Sequence, residues 1–323
     1  MPSIDWPIEQ LRTYVPPATA PDDLDDFWAQ TLDEQQHPYD EDVTPVDYPV
    51  EGLAVEDVTI AGYGQGRVAG TLLVPDGDAE LPGIVIFHGY TGNRAAIFDG
   101  AAWALQGFVV FAIDIRGQTG FSTDPDADPR GHALGWMTQG IQSPDTYYYR
   151  RVYVDCVRAV RYVQQHPRVR ADRVGCTGIS QGGGLTLATA ALEPSVALAM
   201  AEVPYLCDFP RAAQIAGPAG LVQTIYGEIG AYCRAYPDRY DEAFRTLSYF
   251  DVVNLAPSIR CPTLVSVGLW DDICPPSTVF GAYNRLTCEP REIDVYPFLD
   301  HSSTSTHRDA KVRWAWRWLH GRK

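Results

Sequence analysis

The pentapeptide Gly178-Ile179-Ser180-Gln181-Gly182 sets a serine between two glycines at the spacing of a nucleophile elbow. An apolar run, Val174–Ile179, leads into it and a helix-forming stretch, Gln181–Leu192, follows. That context can hold a hydroxyl on a sharp, strained strand-to-helix turn. Side chains two residues either side would collide, so positions 178 and 182 call for glycine. A serine hydroxyl is a weak nucleophile. It needs a base, and the base needs an orienting acid. The backbone N–H of Gln181 would face the oxygen of a tetrahedral intermediate. The competing reading, a glycine-rich helix start, does not explain the strand in front.

Two late apolar runs end in residues of the required types. Pro262–Gly268 leads to Leu269-Trp270-Asp271-Asp272, and Glu292–Pro297 leads to Phe298-Leu299-Asp300-His301. In an α/β-hydrolase the acid and then the histidine follow the serine along the chain. His301 is therefore the expected general base. Asp271 and Asp272 both remain available as its partner, and spacing favours Asp271 only slightly. The other carboxylate is expected to be solvated or to cap a helix. His307 should open the last helix with a surface role, and His88, within His88-Gly89-Tyr90, should brace a loop. His37, His132, His166 and His320 fall at helix ends or loops and read as structural or exposed. There is no HExxH, HxH or Cys/His cluster, so neither a metal nor a cofactor is expected. Gly62, Gly64 and Gly66 lie in a hairpin without a following helix and do not read as a nucleotide loop.

These residues need a scaffold. Leu53–Ile60 and Arg67–Pro75 read as an early hairpin. Then short apolar runs at Gly83–His88, Phe108–Asp114, Val174–Ile179, Ala197–Val203, Pro262–Gly268 and Glu292–Pro297 alternate with helical stretches. The helices are expected at Asn93–Gln106, Pro144–His166, Gln181–Leu192, Pro276–Leu286 and Thr306–Leu319. Short buried strands alternating with helices imply an α/β fold with a mostly parallel central sheet of about eight strands, covered on both faces. Residues 1–50 read as an arm with one helix near Asp23–Gln36. The interval 204–255 is too long for a plain crossover and reads as a helical insertion above the carboxyl ends of the strands. The whole chain, 1–323, is taken as one domain.

Composition narrows the partners. A formal charge of −16 over 323 residues disfavours nucleic acid and anionic membrane. The late basic residues Lys311, Arg313, Arg317, Arg322 and Lys323 read as an exposed helix face. Seven cysteines, none spaced CxxC, read as buried or free thiols. Together with an amino terminus unlike a signal peptide, they lead to the expectation of a soluble cytoplasmic protein.

Longer blocks are more specific. They are Arg116-Gly117-Gln118, the elbow with glutamine after serine, and the run from Gly135-Trp136-Met137-Thr138 to Pro144-Asp145-Thr146-Tyr147-Tyr148-Tyr149-Arg150-Arg151. Arg245-Thr246-Leu247-Ser248-Tyr249-Phe250-Asp251 and Asp272-Ile273-Cys274-Pro275-Pro276-Ser277-Thr278-Val279 join them. With these blocks the chain closely resembles the acetyl xylan esterase/cephalosporin C deacetylase family, carbohydrate esterase family seven. The resemblance runs from Asp5 to the final helix. It implies an α/β-hydrolase fold and a serine esterase. It further implies removal of acetyl groups from small acetylated sugars, xylo-oligosaccharides and antibiotics such as cephalosporin C, through an acetyl-enzyme. It places the family's aspartate on Asp271 and its oxyanion tyrosine on Tyr90, beside the Gln181 amide. It also implies a homohexamer with sites facing an interior cavity. Arg116-Gly117-Gln118, a family hallmark, reads from its place past a strand end as a brace. The family usually has Glu after the catalytic histidine, whereas here Ser302 follows His301. The alternatives are a general short-chain carboxylesterase and a catalytically silent binding homologue; the intact Ser180, Asp271 and His301 argue against the second.

Overall fold

The computed structural model describes residues 3–127, 135–220 and 226–321; His132, Arg322 and Lys323 therefore lie outside the described residues. Nine strands form one sheet: β1 Asp42–Pro45, β2 Leu53–Ala61, β3 Arg67–Pro75, β4 Leu81–Phe87, β5 Val109–Ile113, β6 Val169–Ile179, β7 Leu198–Glu202, β8 Thr263–Gly268 and β9 Arg291–Tyr296. Their order across the sheet is β1-β2-β3-β5-β4-β6-β7-β8-β9. The pairs β1–β2, β2–β3 and β3–β5 are antiparallel, and every later pair is parallel.

Residue pattern and sheet position agree. Every residue of β5, β7 and β8 is buried, as central strands covered on both faces require. β2 alternates, because one of its faces reaches solvent. β1 is exposed throughout and forms an edge. Its sequence, Asp-Val-Thr-Pro, has no apolar periodicity, which is why the count of about eight strands fell one short.

Eleven α-helices are described: α1 Ile8–Leu11, α2 Leu24–Glu34, α3 Ile97–Ala104, α4 Tyr148–Gln165, α5 Gln181–Leu192, α6 Phe209–Gly220, α7 Tyr226–Ala235, α8 Tyr240–Ser248, α9 Val252–Leu255, α10 Pro276–Arg285 and α11 Ser305–Leu319. On one face α4 covers β4, β5 and β6, α5 covers β6 and β7, and α10 covers β8. On the other, α3 lies over β3 and β5, and α11 over β6, β7 and β8. The alternation along β4 sorts Val85 and Phe87 into the first core and Ile84 into the second. The helices α6 to α9 fill the long interval after β7.

Three expectations change in this frame. α3 begins at Ile97 rather than Asn93, because the Arg94 N–H is donated to Asp114 Oδ1 at 2.8 Å and Ala95 takes a φ of 64°. Lys311 is not on an exposed face; it is buried and paired with Glu202, while Arg313 and Arg317 are exposed as expected. His307 has no surface role either. Its ring is buried against Tyr296, with Nδ1 3.0 Å from Asp294 Oδ2.

The first residues are tied to elements far along the chain. Asp5 receives the Arg211 guanidinium at 2.7 Å and the Ser277 N–H at 2.9 Å. Tyr14 donates to Asp208 at 2.7 Å, and the Trp28 indole donates to the Tyr249 carbonyl at 2.9 Å. No helix among the described residues is long and apolar enough to cross a membrane.

Candidate active site

Ser180 sits between β6 and α5 with φ 58° and ψ −117°. A non-glycine residue in that region is strained and persists only when its surroundings over-determine it. Here the Ser180 N–H is donated to the Glu202 carbonyl at 2.9 Å, and the Ser180 carbonyl accepts from Tyr205 at 2.9 Å and Gly184 at 3.0 Å. The flanking glycines are sterically compulsory. A Cβ on Gly178 would lie 2.4 Å from the Phe87 carbonyl oxygen, and one on Gly182 only 2.0 Å from it.

Asp271 and His301 reach the same place from neighbouring strands. After β8 the chain turns at Gly268, where a Cβ would come within 2.5 Å of the Leu299 carbonyl. The Leu269 N–H is donated to Tyr296 O at 3.0 Å and the Trp270 N–H to Leu299 O at 2.9 Å, fastening the two loops together. His301 Nδ1 then stands 2.8 Å from Asp271 Oδ2. Asp271 is fully buried, and its Oδ1 accepts the N–H groups of Ile273 at 2.9 Å and Cys274 at 2.7 Å. Asp272 is exposed. No hydrogen bond joins Ser180 to His301 among the described residues; such contacts commonly tighten only as a substrate loads. The Cys274 thiol, pushed up by burial, faces the Ser180 hydroxyl.

Two main-chain amides complete the arrangement. The N–H groups of Gln181 and Tyr90 are donated to no acceptor among the described residues. Both segments are held from behind. His88 accepts the Ile115 N–H at Nε2, 2.8 Å, so its Nδ1 carries the proton and donates to Gly89 O at 2.7 Å. Burial lowers the pKa of that imidazole and keeps it neutral. His88 is thus a brace, as its position suggested.

Gln118 links the two segments. Its Oε1 accepts the Thr91 N–H at 2.9 Å, and its Nε2 donates to Gln181 Oε1 at 2.8 Å, which also accepts from Tyr149 at 2.9 Å. Arg116 is buried under the hairpin, with ion pairs to Asp155 at 2.6 Å and Asp124 at 2.9 Å. The bracing expected of Arg116-Gly117-Gln118 is therefore specific: the arginine anchors the loop and the glutamine ties the Tyr90 segment to the elbow.

Glu228 was not legible in the sequence. It lies on α7 and takes the Tyr90 hydroxyl on both carboxylate oxygens, at 3.0 and 3.1 Å, while accepting the Met137 N–H at 3.0 Å. The Tyr90 hydroxyl in turn accepts the Trp136 N–H at 2.6 Å. Burial lifts the Glu228 pKa to about 7. The Tyr90 hydroxyl is thus fully engaged, while its main-chain N–H has no acceptor among the described residues. Gly135, at φ 45°, makes room, since a Cβ there would meet Glu228 Oε1 at 2.1 Å. A lone acid within a long interval carries no periodicity or motif that could have singled it out.

One group of side chains capable of holding a metal ion converges among the described residues: Asp271, Cys274 and His301, with ligand atoms within 4.8 Å of one another. Two of the three already share a hydrogen bond. All seven cysteines are free thiols; six are buried and Cys233 is half-buried.

Along the chain Ser180 follows β6, Asp271 follows β8 and His301 follows β9, all at the carboxyl edge of one sheet, which makes the fold an α/β-hydrolase. The acetyl xylan esterase (AXE1) family profile matches residues 1–318. Acetyl esterase Axe7A of Xylanibacter ruminicola is 30% identical over 302 residues, covering 91% of this chain and 66% of that protein. The chain thus spans about two thirds of that relative. An acetyl xylan esterase from Paenibacillus sp. R4 superposes with a TM-score of 0.91 at 38% identity, covering 97% of this chain and 100% of the other. Acetyl xylan esterase 1 from Thermoanaerobacterium sp. JW/SL YS485 also gives 0.91, at 33% identity, with 97% and 98% covered. The chain belongs to the acetyl xylan esterase family, and so stands among the carboxylic ester hydrolases.

Proposed function

We propose that this chain is a serine esterase that removes acetyl groups from small acetylated sugars and xylo-oligosaccharides, and from acetylated antibiotics such as cephalosporin C. The observation that carries the reading is the strained Ser180 beside two undonated amides, with the His301–Asp271 hydrogen bond opposite. Ser180 Oγ attacks the acetyl carbonyl as His301 Nε2 takes its proton. The carbonyl oxygen becomes an oxyanion held by the Gln181 and Tyr90 N–H groups. Collapse breaks the ester C–O bond, and His301 returns the proton to the departing sugar oxygen. Water then attacks the acetyl-enzyme, again giving its proton to His301, and acetate leaves as Ser180 recovers its hydrogen. Asp271 holds the imidazole with Nδ1 protonated.

Acyl length tests this reading. The expected result is kcat/KM for acetyl esters at least tenfold above butyryl and far above octanoyl esters, since each added methylene must find room or clash. Equal values for acetyl and octanoyl esters would make the protein a general carboxylesterase instead, and no acetate release in a single turnover would make it a silent homologue. The family resemblance extends the reading to a homohexamer, and the cysteine usage and amino-terminal sequence extend it to the cytoplasm. Light scattering on the purified chain tests the first, and fractionation of the source cells the second.

A further inference from the structure

On the second face of the sheet, α3 covers β3 and β5 while α11 covers β6, β7 and β8. Neither helix sits over the carboxyl end of β4, which lies between those groups. Ile86 of β4 is therefore left facing a gap of about 630 Å³ between α3 and α11. That volume falls in the range of small-molecule sites, about 300–1,000 Å³. The gap is separate from the serine: it is lined by Gly178, Ile179, Gly89 and Tyr90, so it touches the backs of the elbow and of the loop carrying the Tyr90 amide.

Its chemistry is amphipathic. Ile86, Ile179, Trp103 and Val312 give apolar walls, and Phe98 stands at its edge with 71% of its surface exposed. A large aromatic exposed beside an apolar-walled cavity is surface that a ligand would remove from water. Two of the three cations in the wall are answered by carboxylates. Lys311 pairs with Glu202, and Arg94 lies 3.0 Å from Asp57. Arg308 is exposed and has no carboxylate partner among the described residues. It sits in the first turn of α11, where the positive end of the helix dipole disfavours a cation. An anion beside it would be favoured by both the guanidinium and the dipole. The wall also carries Asp99 and Glu202, and the whole chain is at −16, so a second negative charge would be repelled.

We propose that the cavity between α3 and α11 is a binding site for a small monocarboxylate with an apolar aromatic or aliphatic body, the body against Trp103 and Phe98 and the carboxylate on Arg308. The full chain with Ser180→Ala is titrated with 4-phenylbutyrate, followed by tryptophan fluorescence and calorimetry. One equivalent should bind saturably and should not be displaced by a neutral acetylated sugar, which would occupy the serine site. The neutral 4-phenylbutanamide should bind about tenfold more weakly, and Arg308→Gln should weaken the acid by about tenfold while leaving the amide unchanged, as loss of one charge-assisted hydrogen bond requires. Ala102, exposed on α3, also lines the cavity. Ala102→Phe should intrude on the cavity beside Phe98 and Trp103 and weaken binding by about tenfold or more, with the melting temperature kept. The proposal is overturned by the absence of saturable binding, by displacement with a neutral acetylated sugar, by acid and amide binding alike, or by unchanged binding in Ala102→Phe.

Discussion

His301 Nδ1 stands 2.8 Å from Asp271 Oδ2, and the second oxygen of that carboxylate is held by the Ile273 and Cys274 N–H groups. The carboxylate cannot rotate without losing three hydrogen bonds. Asp271→Asn should therefore lower kcat by about three to four orders of magnitude, because the amide fixes the wrong imidazole tautomer. Asp272 is exposed, and Asp272→Asn should change kcat by about twofold or less. Steady-state kinetics on an acetyl ester check both; equal losses would reassign the acid.

Gln118 spans the Tyr90 segment and the elbow through Thr91 and Gln181. Gln118→Ala should reduce kcat by about tenfold to a hundredfold with KM within about threefold, since a small misplacement of the two amides weakens transition-state stabilisation more than ground-state binding. A change confined to KM would show that Gln118 shapes substrate binding instead.

Glu228 titrates near 7, lifted from 4.5 by burial. Its folded-state pKa lies above the unfolded value, so its contribution to stability is fully present below about pH 4.5. That contribution is lost as pH rises through about 7 and changes no further above that. Glu228→Gln keeps one acceptor oxygen for Tyr90 and Met137 but removes the ionisation. The fall in unfolding free energy between pH 5 and pH 8 should shrink in the variant by no more than about 3 kcal/mol, the full value of the shift. Asp251, also lifted to about 7 by burial and then by Asp208, leaves a residual slope in both proteins. Denaturant titrations at the two pH values measure it, and identical slopes would contradict the assignment.

Burial alone would raise the Glu202 pKa, but the Lys311 ammonium beside it outweighs that effect and holds the carboxyl below its usual range. Lys311 also donates to Thr177 at 3.2 Å. Lys311→Met should cost about 3–5 kcal/mol by stranding a buried charge, whereas Lys311→Met with Glu202→Gln should cost clearly less. Thermal and chemical unfolding distinguish the cases; additive losses would show that the charges act independently.

The legible parts of this molecule were those whose signal is local. Ser180, the helix Gln181–Leu192 and the central strands are written in consecutive residues, and α5 starts and stops where the sequence places it. Burial of His307 and Lys311 was not legible, because it arises where α11 crosses β6, β7 and β8. A helix sequence lists charges without saying which of them will face Glu202 or Asp294. Glu228 was hidden for the same reason: its partners Tyr90 and Met137 are 138 and 91 residues away. β1 was missed because an exposed edge strand needs no apolar alternation.

The early residues also bear on how the chain acquires its shape. Asp5, Tyr14 and Trp28 find their partners 272, 194 and 221 residues later, on Ser277, Asp208 and Tyr249. During synthesis these side chains leave the ribosome well before the partners that satisfy them. Their docking waits for Asp208, Tyr249 and Ser277, so this early segment closes over a body already formed. Contacts of such long sequence separation slow folding and leave apolar residues such as Trp28 uncovered meanwhile. That interval is where a chaperone would find this chain most in need of cover.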